Sequence, residues 1–482
     1  MQFAELLDRD EVPAVHEASL EILERVGMLV QNQRARDIYA GHGCRVDGGS
    51  GIVTFPRQVV EEHRQSFPPS FTFKARNPEY DRTIPEDRPI IVTASSAPNI
   101  LDPVTGKERR ANSQDMANIA FLINELPGYD VFSISTLADD APQGQFSISR
   151  FYPALKHCTK PVRGNTADMK DLFDVLELGA MVAGGKAAYK ERPIITHHCC
   201  PVISPLTMDV NSTDILIYLV ENGLPAYGTI VPNAGLTAPM SLIGNLALGN
   251  AEFLAMSVLM QMIRPGADMI YATLSTVADL RSGSYTPGGI ETGLMHMAHN
   301  QLARFYGVPS GGYIGLTNAH LNDAQSGYET GMGTTGAVLA GSDMLNMGGL
   351  LDSLMAFDFS KAVIDNDIAL MLKRMAHFPR VTGDNLSLDL ISQVGPGRTY
   401  MQTEHTLKHM RDTAFLTKIA DRSMRSSWED AGRPDIHSRA LEQVNSILGK
   451  DNPNTLSQEI DSRIRDRFIG LVDGKAQWPT KS

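Results

Sequence analysis

The chain has 482 residues, 42% of them hydrophobic, which is enough for a large core and long for one barrel but short for three domains. A formal charge of −12, with no run of Lys or Arg, excludes a phosphate-backbone ligand, so no nucleic acid is expected. Four Cys form no disulfide framework, the opening residues lack a signal-peptide core, and no charge-free apolar stretch reaches about 20 residues; the expectation is a cytoplasmic chain with no membrane span.

In chain order, residues 10–27 predict a helix, with Val15, Ile22, Leu23 and Val26 near one face and Gly27 as its stop. A second helix is expected over 33–39, a short strand at GIVTFP, and a helix opened by Pro56 and running through Gln65. The Pro-rich stretch 66–90 follows. Residues 1–90 thus read as an N-terminal helical layer that wraps or closes a barrel.

Eight times after that, a short apolar run ends in small or polar residues and a helix-like stretch follows. The runs are IVTASSAPN (91–99), VFSISTLADD (131–140), KPVRGNTAD (160–168), IITHHCCPVISP (194–205), PAYGTIVPNAG (225–235), MIYATLSTVAD (269–279), PSGGYIGLTNAH (309–320) and DMLNMGGLL (343–351). Eight such units predict an α/β fold, a (β/α)8 TIM barrel over residues 91–360, with its chemistry at the C-terminal ends of the strands. Helices are expected over 113–125, 168–182, 213–222, 244–263, 291–306 and 323–340. Residues 361–482 turn polar and helical and read as a C-terminal helical extension suited to packing, self-association into a homo-oligomer or partner docking.

Candidate chemistry gathers at the strand ends. In His197, His198, Cys199 and Cys200, alternation would aim one His and one Cys into the mouth, where a remote third ligand could complete a zinc site. The same residues could equally pack as small apolar groups with a locally bonded His. No second Cys/His cluster has ligand spacing, so no metal is assigned. The Gly-rich GGIETG and GMGTTG match no phosphate or dinucleotide fingerprint. Tyr313, Phe357 and Phe359 are placed for a mouth, where aromatic faces hold a quaternary ammonium by about 0.5–2 kcal/mol each. Tyr227 and Tyr271 sit earlier in their strands and read as barrel interior. Arg163, Arg281 and Lys361 are the basic residues near strand ends. Arg281, in the sixth loop, could grip a carboxylate or be a solvated loop residue.

Four segments, VHEASLEILERVGM, GLTNAHLNDAQSGYET, MLNMGGLLDSLMAFDF and TEHTLKHMR, occur in this order and together resemble the trimethylamine methyltransferase family. The resemblance covers nearly the whole chain. It implies a (β/α)8 enzyme that moves a methyl group from an amine to the cobalt of a partner corrinoid protein, which supplies the cobalamin; no tightly bound cofactor of its own is expected. Founding members carry pyrrolysine at the mouth. This sequence has only standard residues, so it resembles the branch that uses quaternary amines such as glycine betaine, proline betaine and carnitine. The pyrrolysine position should fall in or near 315–326, and no catalytic residue is carried over from it. The expected reaction is methyl transfer from glycine betaine, giving dimethylglycine. Arg281 or His197 and His198 would clamp the carboxylate, and Tyr313, Phe357 and Phe359 would line the ammonium. The competing readings are a zinc-dependent thiol or alcohol methyltransferase and a non-catalytic betaine-binding protein.

Overall fold

A computed structural model describes residues 3–377, 379–472 and 474–478. Eight parallel strands form a ring: β1 (Ile90–Val92), β2 (Phe132–Ser133), β3 (Val162–Gly164), β4 (Ile195–His198), β5 (Ala226–Tyr227 and Thr229–Ile230), β6 (Tyr271–Thr273), β7 (Ser310–Gly312) and β8 (Met344–Asn346). Strands β2 to β5 pair in sequence, as do β5 to β7, and β8 pairs with β1. Single parallel bridges, Val92 with Val131 and Tyr313 with Asn346, join the remaining edges and close the ring. Each of the eight apolar runs supplies one strand. The break in β5 falls at Gly228, where a Cβ would lie 2.3 Å from the Cys199 carbonyl oxygen; only glycine lets the two strands approach so closely.

A principal helix follows each strand: α1 (Ser113–Glu125), α2 (Ile148–His157), α3 (Met169–Ala183, with the short helix Lys186–Glu191 after it), α4 (Asn211–Glu221), α5 (Leu242–Ile263), α6 (Ile290–Tyr306), α7 (Ala324–Leu339) and α8 (Phe359–Met375). Two of these were not among the expected helices. In α2 the interior Pro153 removes a donor and disturbs the helical pattern, and burial of the whole helix overrides that cost. The other, α8, runs to Met375, past the expected barrel limit at 360.

The N-terminal layer packs helices Glu11–Arg25, Gln33–Gly41 and Arg57–Arg64 against α5. That explains why α5 is apolar all round: it is sandwiched between the barrel and this layer. Among the described residues it is the one helix long and apolar enough to cross a bilayer, and 94% of its apolar window is buried inside the protein. The layer also contains strands too short to show a pattern in sequence. Met28–Val30 lies between Ile52–Thr54 and Thr207–Met208, the latter lent by the loop after β4. A hairpin of Phe71–Phe73 and Arg82–Ile84 plugs the bottom of the ring. Its Phe71, Phe73 and Ile84 pack with Ile90, Val92, Ile270 and Met344.

At the C-terminal end, helix Ile436–Leu448 packs on α8 and α1, and the Tyr152 hydroxyl donates to Asp461 (2.6 Å). Buried cations are tied down locally. The Lys160 ammonium donates to the carbonyls of Ile123, Leu126 and Tyr129 (2.7–2.8 Å), closing the C-terminal end of α1. Lys373 pairs with Asp130 (2.7 Å), and Lys361 with Asp365.

Inside α5, Glu252 accepts from the Ser204 hydroxyl (2.6 Å) and the Leu206 N–H (2.7 Å), anchoring the loop after β4. Burial pushes its carboxyl up to about 7, and the two hydrogen bonds offset only part of that. The unfolded carboxyl titrates near 4.5. Between these values the unfolded chain releases a proton that the fold retains, so this residue's contribution to stability falls as pH rises and is lost above about 7. Thermal unfolding at constant ionic strength should therefore show the wild type losing stability relative to Glu252→Gln from pH 5 to pH 8. Parallel curves for the two proteins would assign the loop's anchoring to a carboxylate that is ionised throughout.

Candidate active site

Alternation along the strands sorts the residues that face the ring's interior. Near the bottom this interior is apolar and filled by the hairpin. One layer higher it becomes polar. Arg163 projects inward from β3 and is fully buried. Its Nη2 donates to the Tyr313 hydroxyl (3.1 Å), and its guanidinium lies 5.2 Å from the Tyr227 ring centre and 5.5 Å from that of Tyr313. The Tyr313 hydroxyl also sits 2.8 Å from Ser95 Oγ, just beyond β1. Asn346 of β8 lies near the Tyr227 hydroxyl, without a hydrogen bond of ordinary geometry between them. His198 of β4 packs edge-on to Tyr227 and tilted to Tyr313, with centroids 5.4 and 6.3 Å away, and its Nε2 lies 2.8 Å from Thr229 Oγ1.

His198 is packed deep but half-buried, so water reaches its edge. Burial first, and then the Arg163 charge, push its pKa well below the ordinary imidazole range, which keeps it neutral at physiological pH. Cys200 Sγ lies 3.5 Å from His198 Nε2, and burial raises its thiol. One His and one Cys do meet as alternation requires. Among the described residues, however, no group of three or more His, Cys, Asp or Glu side chains is placed to hold a metal ion.

Toward the C-terminal ends of β6 to β8, a cavity of about 620 Å³ opens. Its wall carries Asp279, Glu291, Glu329 and Asp352 against one arginine, Arg281, and His320. Glu329 is held in place: its Oε2 accepts from Thr317 Oγ1 (2.6 Å) and the Asn318 N–H (2.8 Å). Asn318 in turn donates to the Tyr285 carbonyl (2.8 Å) and to Ser353 Oγ (2.7 Å). Tyr285, whose carbonyl holds Asn318, lies within electrostatic reach of Tyr313 on the polar floor. The wall therefore favours cations, and the floor carries one buried cation of its own.

The expected site residues separate in this arrangement. Tyr313 and His198 reach the polar floor. His197, one residue from His198, faces out of the ring; it is buried, neither ring nitrogen has a protein partner, and burial pushes its pKa down to about 4. Arg281 stands on the cavity rim with its side chain 91% exposed, and its guanidinium is bound to Asp279 (2.7 and 2.9 Å). Phe357 and Phe359 are buried packing residues. Their rings meet at 5.3 Å, and Phe359 stacks against Trp478 at 4.9 Å. Strand-end position alone placed them at a mouth, but the short strand Ala356–Phe357 pairs back onto Asn99–Leu101 and turns the rings into the core. Sequence reasoning left Asn346, Tyr285 and Glu329 unassigned and named Arg163 only as a basic residue near a strand end. For Arg163 the signal was available: it alternates with the core residue Val162.

Comparison with known proteins agrees with this architecture. A family model for trimethylamine methyltransferase (MTTB) matches residues 1–470. A trimethylamine methyltransferase MttB from Desulfitobacterium hafniense (strain DSM 10664 / DCB-2) is 29% identical over 456 residues, covering 95% of this chain and 92% of that protein. A glycine betaine methyltransferase from Desulfitobacterium hafniense (strain Y51) is 32% identical over 463 residues, with 95% of each chain covered. Among solved structures, the hydroxylamine complex of MtmB superposes with a TM-score of 0.50 at 11% identity, over 97% of this chain and 96% of that one. That likeness bears on the fold, while the full-length match and the two sequence relatives establish the lineage: the chain belongs to the trimethylamine methyltransferase family.

Proposed function

We propose that this protein transfers a methyl group from a quaternary amine, glycine betaine first among them, to the cobalt of a corrinoid carried by a partner protein docked over the mouth. The observation that carries this reading is the acid-lined cavity at the C-terminal strand ends. Four carboxylates against one arginine favour a fixed positive charge, and a quaternary ammonium cannot shed its charge by losing a proton. The rim also suits a protein partner. Arg281 and His320 are 91% and 81% exposed, so an incoming surface can reach the cavity directly.

The chemistry asks little of the chain beyond placement. A quaternary nitrogen is already a good leaving group and needs no general acid. The methyl acceptor is a strong nucleophile supplied by the partner. The residues here must hold the methyl group outward and in line with it. The ammonium charge disappears as transfer proceeds, so the acidic wall grips substrate more than transition state and acts chiefly on KM.

Two measurements test this reading. The purified protein is mixed with reduced cobalamin, or with its corrinoid partner, and the visible spectrum is followed as glycine betaine, proline betaine, carnitine and trimethylamine are added separately. Methylation of the corrinoid with glycine betaine, together with formation of dimethylglycine, is expected. No methylation from any donor in the presence of the partner would overturn the reading. In the same assay Glu329→Gln removes one wall charge and keeps the shape. It should raise KM for the quaternary amine about 3- to 10-fold and change kcat less, since one charge near a solvated rim is worth roughly 1 kcal/mol. A change confined to kcat would place Glu329 in a different role.

A further inference from the structure

The other cations buried in this fold show how unusual Arg163 is. Lys361 and Lys373 each face a carboxylate, Asp365 and Asp130. Lys160 is held by three carbonyls, and Arg150, although its Nε also lacks a partner, donates to the Asn165 carbonyl (3.0 Å) and to Asn165 Oδ1 (3.4 Å). Arg163 is fully buried, and its one hydrogen bond to a protein group is to a phenol. Its Nε and Nη1 find no protein acceptor. Its electrostatic neighbours are Tyr227, Tyr313 and Cys200; among the described residues no carboxylate pairs with it. A guanidinium withdrawn from water without a counter-charge is costly, and such a group is retained where something outside the fold completes it.

The surroundings specify what that something is. Asn346 Nδ2 is a second buried donor without a protein acceptor, and it belongs to the same polar floor. Thr196, the register partner of Arg163 on β4, adds a hydroxyl that also lacks a partner. These groups offer three N–H-bearing atoms and a hydroxyl, with no fixed negative charge. A guanidinium with unused N–H donors beside an amide suits an oxyanion such as a carboxylate, which accepts several charge-assisted hydrogen bonds. Ser95, His198 and Cys200 around the floor are half-buried, so solvent reaches its edge, while Arg163, Thr196 and Asn346 are buried behind them. Farther out, the cavity wall is acidic. From floor to rim the site runs from positive to negative.

We propose that Arg163, assisted by Asn346, is the anion-recognition group of this protein: it takes the carboxylate of a zwitterionic quaternary amine at the barrel floor and so selects carboxylate-bearing donors over simple amines. The proposal rests on the amine-methyltransferase reading above and deepens it by fixing substrate class and polarity. The carboxylate goes inward and the ammonium points to the acidic rim, which presents its methyl groups to the mouth. Because the carboxylate keeps its charge through the reaction, this grip is uniform between ground and transition states and sets affinity rather than kcat.

The test is binding, read by isothermal titration without any corrinoid, so that it stands apart from the activity assay. Wild-type protein should bind glycine betaine about 10- to 100-fold more tightly than choline, which has the same ammonium head and no carboxylate, and acetate should compete with glycine betaine. Arg163→Met should lose that preference, and Arg163→Lys should restore part of it. Equal wild-type affinity for choline and glycine betaine would overturn the proposal, and this measurement needs no variant to fold. Undiminished glycine betaine binding by a folded Arg163→Met would overturn it too. Carboxylate-dependent binding without methyl transfer would retain the anion site and remove the methyltransferase reading. Transfer from glycine betaine with unchanged KM in Arg163→Met would do the reverse.

Discussion

The alternation of side chains along eight short parallel strands is the constraint on which this molecule depends. Each strand contributes only two to four paired residues, so shifting one by a single position would exchange its interior and exterior faces. The ring is closed at two points by single bridges, and both involve strands that carry site residues: Val92 with Val131, and Tyr313 with Asn346. The close approach of β4 and β5 at Gly228 fixes the level at which His198 and Tyr227 meet. The same rule sends His197 outward, buried and without a hydrogen-bond partner, and His198 inward beside Arg163.

Around that ring the remaining elements remove alternatives. The phenylalanine hairpin fills the bottom, which leaves the C-terminal mouth as the open end. The N-terminal layer buries α5, and Glu252 ties that helix to the loop after β4. The C-terminal helix Ile436–Leu448 covers α8 and α1. Stability and chemistry are thereby separated: the buried ion pairs and the Lys160 cap lie in the outer shell, and among the described residues no carboxylate pairs with the arginine of the polar floor.

The resulting field has a direction. A neutral histidine, two tyrosines and an arginine line the floor, and four carboxylates line the mouth. A ligand carrying one charge satisfies only one end of such a site. A zwitterion satisfies both and is oriented by doing so, which is the positioning that a displacement at a quaternary nitrogen requires. The closeness of His198 and Cys200 follows from their two-residue spacing, and both are held in neutral forms by burial.

The sequence by itself determined the number and order of the strands, because a short apolar run closed by small polar residues is a local signal that survives without partners. It also carried the family, through four motifs separated by hundreds of residues. It placed Tyr313 and His198 near the mouth for the same local reason. It did not reveal α2, whose Pro153 contradicts a helix that only burial sustains, nor the true surroundings of Phe357 and Phe359, which a backward-pairing strand turns into the core. It made Arg281 the candidate carboxylate grip, whereas in the fold that side chain is neutralised by Asp279, two residues away. Tertiary structure alone decided that Arg163 lies between two tyrosines with no acid among the described residues paired to it, since its neighbours come from strands dozens to nearly two hundred positions distant. A charge in sequence shows that it exists; only the closed ring shows that no carboxylate among the described residues pairs with it.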